Sequence, residues 1–368
     1  MKGFIIAEAG VNHNGDLELA RKLVDTAARI GADAIKFQTF KAGSVASVNA
    51  PKADYQKQLT DQSESQFQML ERLELPYDWH QELKTRAENL GLKFLSTAFD
   101  EDSLDFLVDK IGIDTLKIPS GELTNGPLIL AAARTGLDLI ISTGMANLDE
   151  IEQALGIVAF SCSKSTEMPS LTAFRSAYAC SENRQTLKNK VTLLQCTTEY
   201  PASPDQANLK AMETMANTFD IPVGFSDHTP GIGVAVAAAA RGATIIEKHF
   251  TLDRNLPGPD HAASLEPDEM ADMIENVHMA WQAIGDEHKQ TMPEEIKNKL
   301  IARRSLVAAR PLKKGHIIQP DDLLARRPGT GVSPMMYWSF LDKPIEQDYE
   351  LGELIYPTTK TDSDPSIN

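Results

Sequence analysis

The stretch "IPVGFSDHTPGIGVAVAAAARGATIIEKHF", residues 221–250, holds two short apolar runs about twenty residues apart, each ending in a histidine, His228 and His249. The runs, "IPVGFSD" and "ATIIEKHF", read as strands. The same unit recurs along the chain: a short β-branched apolar run, a polar residue, then in most cases a helical stretch. "FIIAEAG" begins at Phe4 and leads into "LELARKLVDTAARIGA". There Leu17, Ala20, Leu23, Val24, Ala27 and Ala28 form the stripe of an amphipathic helix. Gly31 closes that helix. "DAIKFQTF", "LKFLSTAF", "DTLKIPSGE", "LDLIISTGM" and "VTLLQCTTEY" complete a set of eight strands. Alternating strands and helices pair in parallel, and near-continuous apolar strands are buried on both faces. Eight such units predict a TIM (β/α)8 barrel. An open doubly wound sheet is the runner-up. No GxGxxG follows the first strand, which weakens a dinucleotide-binding reading.

The chain has 368 residues, 42% of them hydrophobic, enough for one large domain and a smaller one. The barrel is expected over 1–282 and a charged linker over 283–299. A compact domain of short strands broken by Pro and Gly follows over 300–358, and a disordered tail over 359–368. A net charge of -16 argues against a nucleic-acid partner, and an anionic substrate needs basic groups gathered locally. The N-terminal segment reads as neither signal peptide nor membrane span. Cys162, Cys180 and Cys196 lack metal spacing and point to a reducing cytoplasm. Two connections are long. Residues 41–75 form a polar loop running into a helix on the βα side. The Ser/Thr-rich residues 159–190 read as a surface excursion from the opposite face, with no catalytic role.

Barrel strands build active sites at their C-terminal ends. Those ends carry Glu8; Lys36 and Gln38; Thr97 and Phe99; Lys117, Ser120 and Glu122; Ser142 and Thr143; Thr198 and Tyr200; Ser226, Asp227 and His228; and Glu247, Lys248 and His249. A purely structural barrel does not need three lysines there. A buried lysine is paired or strongly shifted. Lys36 and Lys117 read as functional, with a structural ion pair as the alternative. Lys248, facing away from its two neighbours, reads as a structural pair. "STG" and "PSGE" are ordinary turn chemistry or a phosphate cradle. Each histidine alone reads as a core imidazole bonded to a carbonyl. On the ends of adjacent strands about 5 Å apart, the two can converge on one ion. Imidazole with oxygen donors suits Mn, Fe, Co or Zn, and the absence of a nearby Cys disfavours structural zinc. "DRNLPGPDHAAS" then holds Asp260 on a stiff loop over the barrel mouth, or simply forms an Asx-capped turn.

Taken together, "AEAGVNHNGDLELA", "ADAIKFQTF", "LSTAFD", "KIPSGELTN", "ISTGM", "CTTEYP", "FSDHTPG", "IEKHFTLDRNLPGPDHAAS" and "RRPGTGVSPM" resemble the motifs of the sialic acid synthase family. The likeness spans nearly the whole chain apart from 159–190 and the tail. "LVAARPLKKGHIIQPDDLLARRPG" resembles the antifreeze-like (SAF) module of those enzymes. The resemblance implies condensation of phosphoenolpyruvate with an N-acetylmannosamine-type sugar to give a sialic acid and phosphate. It implies a divalent ion, Mn²⁺ first and Mg²⁺ or Co²⁺ next, on His228 and His249. It puts Lys36, Thr97, Lys117, Ser120, Ser142, Thr198 and Ser226 around phosphoenolpyruvate, and Glu8, Gln38, Tyr200 and Asp260 near the sugar. Phe99 joins the substrate-binding set. Glu8, Lys36, Lys117 and Asp260 form the catalytic set. Arg327, in "RRPGTG", is implied to reach a partner's sugar in a domain-swapped homodimer. Two positions depart from some members: Thr198 stands where an asparagine can occur, and Arg303 stands near where one member has an aromatic. N-acetylmannosamine is the first acceptor. 2,4-Diacetamido-2,4,6-trideoxymannose, the legionaminic precursor, and the pseudaminic precursor are the alternatives. A Schiff-base aldolase and a non-catalytic carbohydrate-binding protein are the rival classes.

Overall fold

The structure, a computed structural model, describes residues 3–52, 56–57, 60, 64–163 and 166–357. Eight parallel strands close into a barrel in chain order. They are β1 (Phe4–Gly10), β2 (Ala34–Thr39), β3 (Lys93–Ala98), β4 (Thr115–Ile118), β5 (Asp138–Ser142), β6 (Val191–Cys196), β7 (Val223–Asp227) and β8 (Ile245–His249). β1 pairs with both β2 and β8, which seals the ring. The eight strands expected from sequence are these eight.

The first helix, Leu17–Arg29, shows how the sequence sets the outer layer. Asp16 caps it by accepting from the backbone N–H groups of Glu18 and Leu19. Ala20, Leu23, Val24 and Ala27 are buried against the barrel. The chain leaves through Gly31 at φ +84, a left-handed turn that glycine makes without strain.

Alternation along each strand splits the interior in two. Odd-numbered β1 residues, such as Ile5 and Ala7, join the large core between strands and helices. Ile6, Ala34, Leu95, Ile140, Leu194 and Ile245 form a separate apolar cluster inside the barrel. Gly224 is part of that packing, because a Cβ there would lie 2.5 Å from the Ile245 carbonyl oxygen and 2.7 Å from Leu194 Cδ2. The barrel therefore has a filled apolar floor.

The described part of 159–190 lies largely at the surface, as expected, but it is mostly helical and packs along one side. Helix Leu148–Cys162 runs into this stretch, and helices Leu171–Ala179 and Ser181–Lys190 follow. Ala173 and Ala177, one turn apart, are buried, and Phe160 meets Phe174 edge-on at 5.3 Å. Gly156 lets the two helices approach, since a Cβ would come 3.1 Å from the Phe174 carbonyl oxygen. Small residues at helical spacing, masked by the Ser/Thr content, make this a packed layer.

The chain divides into two compact units, Met1–Gly285 and Asp286–Asn368. The last barrel helix, Pro267–Ile284, ends two residues beyond the expected boundary. Residues 286–299, expected as linker, group with the second unit, where Glu295–Ala302 is helical. In that unit β9 (Ser305–Ala308) and β10 (Leu323–Arg326) pair antiparallel. Leu306, Ala308, Leu312, Ile318, Leu323 and Ile345 form its own core. The tail expected to be disordered at 359–368 lies outside the described residues.

Candidate active site

Directly above the apolar floor, the inward positions turn polar. Strand register sets them side by side: Glu8 beside Lys36 and His249, Thr97 beside Lys117, and Ser226 beside Glu247. Glu247 is the hub. Its Oε1 lies 2.9 Å and its Oε2 3.2 Å from Lys117 Nζ. Oε2 is also 3.7 Å from Lys36 Nζ, and Ser226 Oγ donates to Oε1 at 2.9 Å. Lys36 Nζ lies 2.7 Å from Glu8 Oε2 and donates to Thr97 Oγ1 at 3.1 Å. None of these six side chains is more than 4% exposed. Burial of this depth is tolerated only because two carboxylates balance two ammonium groups.

The protonation states follow from that balance. Burial raises Glu247, but Lys117 and Lys36 overcome it and hold the carboxyl well below its ordinary range. Burial works to lower Lys36, yet Glu247 and Glu8 hold it above the usual lysine range. Lys117 falls below that range, chiefly through burial, which the pull of Glu247 does not fully offset. Glu8 is pushed up to about 7 by burial, against the pull of Lys36. Asp260 rises to about 6 through burial alone. Glu8 and Asp260 are thus the carboxyls that can take or give a proton near neutrality.

The two histidines face each other at the mouth, ring centroids 5.6 Å apart. His228 Nδ1 lies 2.6 Å from the Thr197 carbonyl oxygen. A carbonyl only accepts, so Nδ1 carries the proton and Nε2 presents its lone pair. Burial lowers both histidines, so both are neutral at pH 7. Nδ1 of His249 is buried with no hydrogen-bond partner, 3.9 Å from Asp260 Oδ2. Two neutral imidazoles, one with an orphaned nitrogen beside a carboxylate, suit a divalent ion. Among the described residues no group of three or more His, Cys, Asp or Glu side chains forms a complete cage. An ion held by the two imidazoles would need oxygens from substrate or water to complete its shell. Tyr200 flanks both rings, 4.2 Å from His228 and 5.6 Å from His249.

Opposite the histidines, "PSGE" and "STG" meet. The Gly144 N–H donates to Ser120 Oγ at 3.0 Å. A Cβ on Gly144 would lie 2.4 Å from Thr198 Oγ1, 2.8 Å from Ser120 Oγ and 3.0 Å from Cys196 Sγ. Only glycine leaves that polar cradle open. All fourteen barrel residues chosen from sequence line one cavity of about 280 Å³ with this cradle.

Two groups were not chosen from sequence. Glu247 was signalled by alternation, sharing the inward face of "IIEKHF" with His249. Val11, Met69, Leu70 and Leu73 also line the cavity. Three of them come from helix Gln66–Leu73, whose place over the mouth no local pattern discloses. Lys248 is the structural pair expected of it, 2.8 Å from Asp227 Oδ2 and facing away from the cavity. Arg327 lies in the second unit, exposed, with Nε donating to the Ala302 carbonyl oxygen at 3.0 Å. The sequence also offers Arg327 an ion pair within its own domain, with Asp321 or Asp322; Asp322 is instead held by Arg310 at 2.7 Å and His316 at 2.6 Å.

Residues 23–289 match the NeuB family model, and residues 303–342 match the SAF domain. The chain is 46% identical to the N,N'-diacetyllegionaminic acid synthase of Campylobacter jejuni, covering 96% of this chain and 99% of that one. It is also 46% identical to the N,N'-diacetyllegionaminic acid synthase of Legionella pneumophila, covering 96% and 93%. Among solved structures, the N-acetylneuraminic acid synthetase of Leptospira borgpetersenii superposes with a TM-score of 0.66 at 32% identity, covering 81% of this chain and 90% of that one. With its eight-stranded barrel, its buried lysine–carboxylate network and a C-terminal SAF domain, the chain belongs to the NeuB family.

Proposed function

We propose that the protein condenses phosphoenolpyruvate with 2,4-diacetamido-2,4,6-trideoxymannose and water to give N,N'-diacetyllegionaminic acid and phosphate. The observation that carries the chemistry is the Lys36–Lys117 pair held by Glu247 beneath the Ser120–Gly144 cradle. The acceptor rests on the two relatives at 46% identity, both named for legionaminic acid. N-acetylmannosamine, first from sequence alone, yields to that alternative, since the sialic acid relative stands at 32%.

Phosphoenolpyruvate brings close to three negative charges. Lys36 and Lys117 meet them in a water-poor site, where electrostatic attraction is far stronger than in bulk water. The lysines are already balanced, so the arriving anion favours protonation of Glu8, whose carboxyl titrates near 7. Ser120, Ser142 and Thr198 donate to phosphate and carboxylate oxygens, while Ser226, whose proton goes to Glu247, steadies that carboxylate beside them. Gln38, Tyr200 and Asp260 orient the sugar, and either Glu8 or Asp260 serves as acid or base. The C3 carbon of phosphoenolpyruvate bonds to the aldehyde carbon, water adds at C2, and phosphate leaves by C–O cleavage. A divalent ion held by His228 and His249 supplies Lewis acidity toward a substrate oxygen. Mn²⁺ is the proposed ion, supported by the all-nitrogen and oxygen donor set. The proposed compartment is the cytoplasm, supported by three free cysteines. Among the described residues no helix is long and apolar enough to cross a membrane.

The test is phosphate release with Mn²⁺, Mg²⁺ or Co²⁺ and each of the three candidate sugars. Turnover is expected to be highest with the diacetamido-trideoxymannose, abolished by EDTA and restored by Mn²⁺. Full activity in EDTA would favour a Schiff-base route through lysine and end the ion assignment.

The proposed assembly is a homodimer in which Arg327 acts on the partner's sugar. It is supported by the exposure of Arg327 and by the commitment of Asp322, one of its two in-domain alternatives with Asp321, to other partners. A guanidinium donates to an amide carbonyl while its plane packs on the acyl methyl. Mixing inactive His228→Ala protein with inactive Arg327→Ala protein is expected to restore activity, because a mixed dimer then has one intact site. A mixture that stays dead after mass-verified subunit exchange rejects action in trans.

A further inference from the structure

The cavity above the floor has two chemically distinct halves. One is the charged network and the cradle. The other is a continuous apolar face on which Val11, Met69, Leu70, Leu73 and Phe99 pack as one cluster with Phe40. Phe99 is steadied by Phe40, edge-on at 5.8 Å. Helix Gln66–Leu73 starts at Ser65, whose capping box with Gln68 closes both ways. Met69 and Leu73 are 1% and 2% exposed and serve mainly as core, whereas Leu70 is half-buried and lines the cavity.

Among the described residues, the side chains of this face offer a hydroxyl no strong donor or acceptor, although Gln56 also lines the cavity. A sugar hydroxyl laid on it gives up water and finds no partner, while a methyl loses nothing. The acceptor proposed above differs from a fully hydroxylated sugar at three carbons. Acetamido groups stand at C2 and C4, whose amides need polar partners, and a methyl stands at C6, which needs none. We propose that the Val11–Leu70–Phe99 face seats the C6 methyl, and that Leu70 sets the preference for 6-deoxy over 6-hydroxy acceptors. This rests on the reading that the acceptor is a trideoxymannose.

The experiment compares 2,4-diacetamido-2,4,6-trideoxymannose with its 6-hydroxy counterpart, which differ only at C6. The readout is the ratio of their kcat/KM values in the full-length, Mn²⁺-supplied enzyme. An apolar pocket rejects an added hydroxyl by no more than about 100-fold, so a ratio of about 10 to 100 is expected for the unaltered protein. Leu70→Gln, similar in size but able to bond a hydroxyl, is expected to lower that ratio about tenfold or more. Leu70→Met, still apolar, is expected to retain it. The KM for phosphoenolpyruvate, read on the same proteins, reports the charged half of the cavity. A partial loss of folding would lower the apparent kcat for both sugars together and leave that KM and the ratio alone. Turnover of both sugars with the same ratio in all three proteins overturns the role of Leu70. Silence of the unaltered enzyme toward both diacetamido sugars, with turnover of N-acetylmannosamine, overturns instead the acceptor reading on which it rests.

Discussion

His249→Ala is expected to lower kcat/KM by about three orders of magnitude, because ion-assisted polarisation of an oxygen contributes several kcal/mol and each 1.36 kcal/mol is tenfold. The same protein is expected to melt at or above the temperature of the unaltered one. Nδ1 of His249 is buried with no hydrogen-bond partner, and the ring is neutral. Removing it relieves an unmet polar group rather than breaking a bond. Steady-state kinetics and a thermal melt on one preparation check both halves. A large fall in melting temperature would mean that the imidazole is a core residue after all. Activity close to that of the unaltered enzyme would remove it from the ion site.

Glu247→Ala is expected to behave in the opposite way, losing activity and stability together. It strips the shared carboxylate from Lys117 and Lys36 and leaves like charges in a site at most 4% exposed. Removing one side of a buried pair costs about 3–5 kcal/mol. For a domain of this size that is a fall in melting temperature on the order of 10 °C. The KM for phosphoenolpyruvate is expected to rise, because Lys117 loses the contact that aims it. Glu247→Gln, which keeps two polar atoms but no charge, falls between. A Glu247→Ala protein with unchanged melting temperature would show that the lysines find other partners and that Glu247 is not the hub.

The contrast explains what the sequence disclosed and what it withheld. Strand ends were legible because period-two alternation is local. Lys36 between Ile35 and Phe37, and Glu247 and His249 around Lys248, state their facing directly. The helix over the mouth was not legible in that way. Nothing in "QFQMLERL" distinguishes Leu70, which is half-buried on the cavity wall, from Leu73, which touches the cavity but mainly fills the core behind it. That difference depends on where a long connection folds back, and such folding is tertiary. The helical packing within 159–190 was hidden for the same reason. Its Ser and Thr content is local, while the contact between Gly156 and Phe174 that orders it is not. Arg327 stands at the far limit, since its partner is proposed to be another subunit.

The Lys248–Asp227 pair lies on the far side of the barrel wall from the cavity, back to back with the histidines. Asp227 Oδ1 accepts from the Thr229 N–H at 2.8 Å and from its hydroxyl at 2.7 Å, and Lys248 also donates to the Thr229 carbonyl oxygen. The residues immediately before and after His228 are therefore fastened to the neighbour of His249. The clasp works like a jig: it sets the spacing of two tools from behind, without entering the workspace. Mouth loops and the apolar face can be rebuilt for a different sugar while the imidazole spacing stays fixed. Retargeting the acceptor and preserving the chemistry are thus separable engineering problems in this barrel.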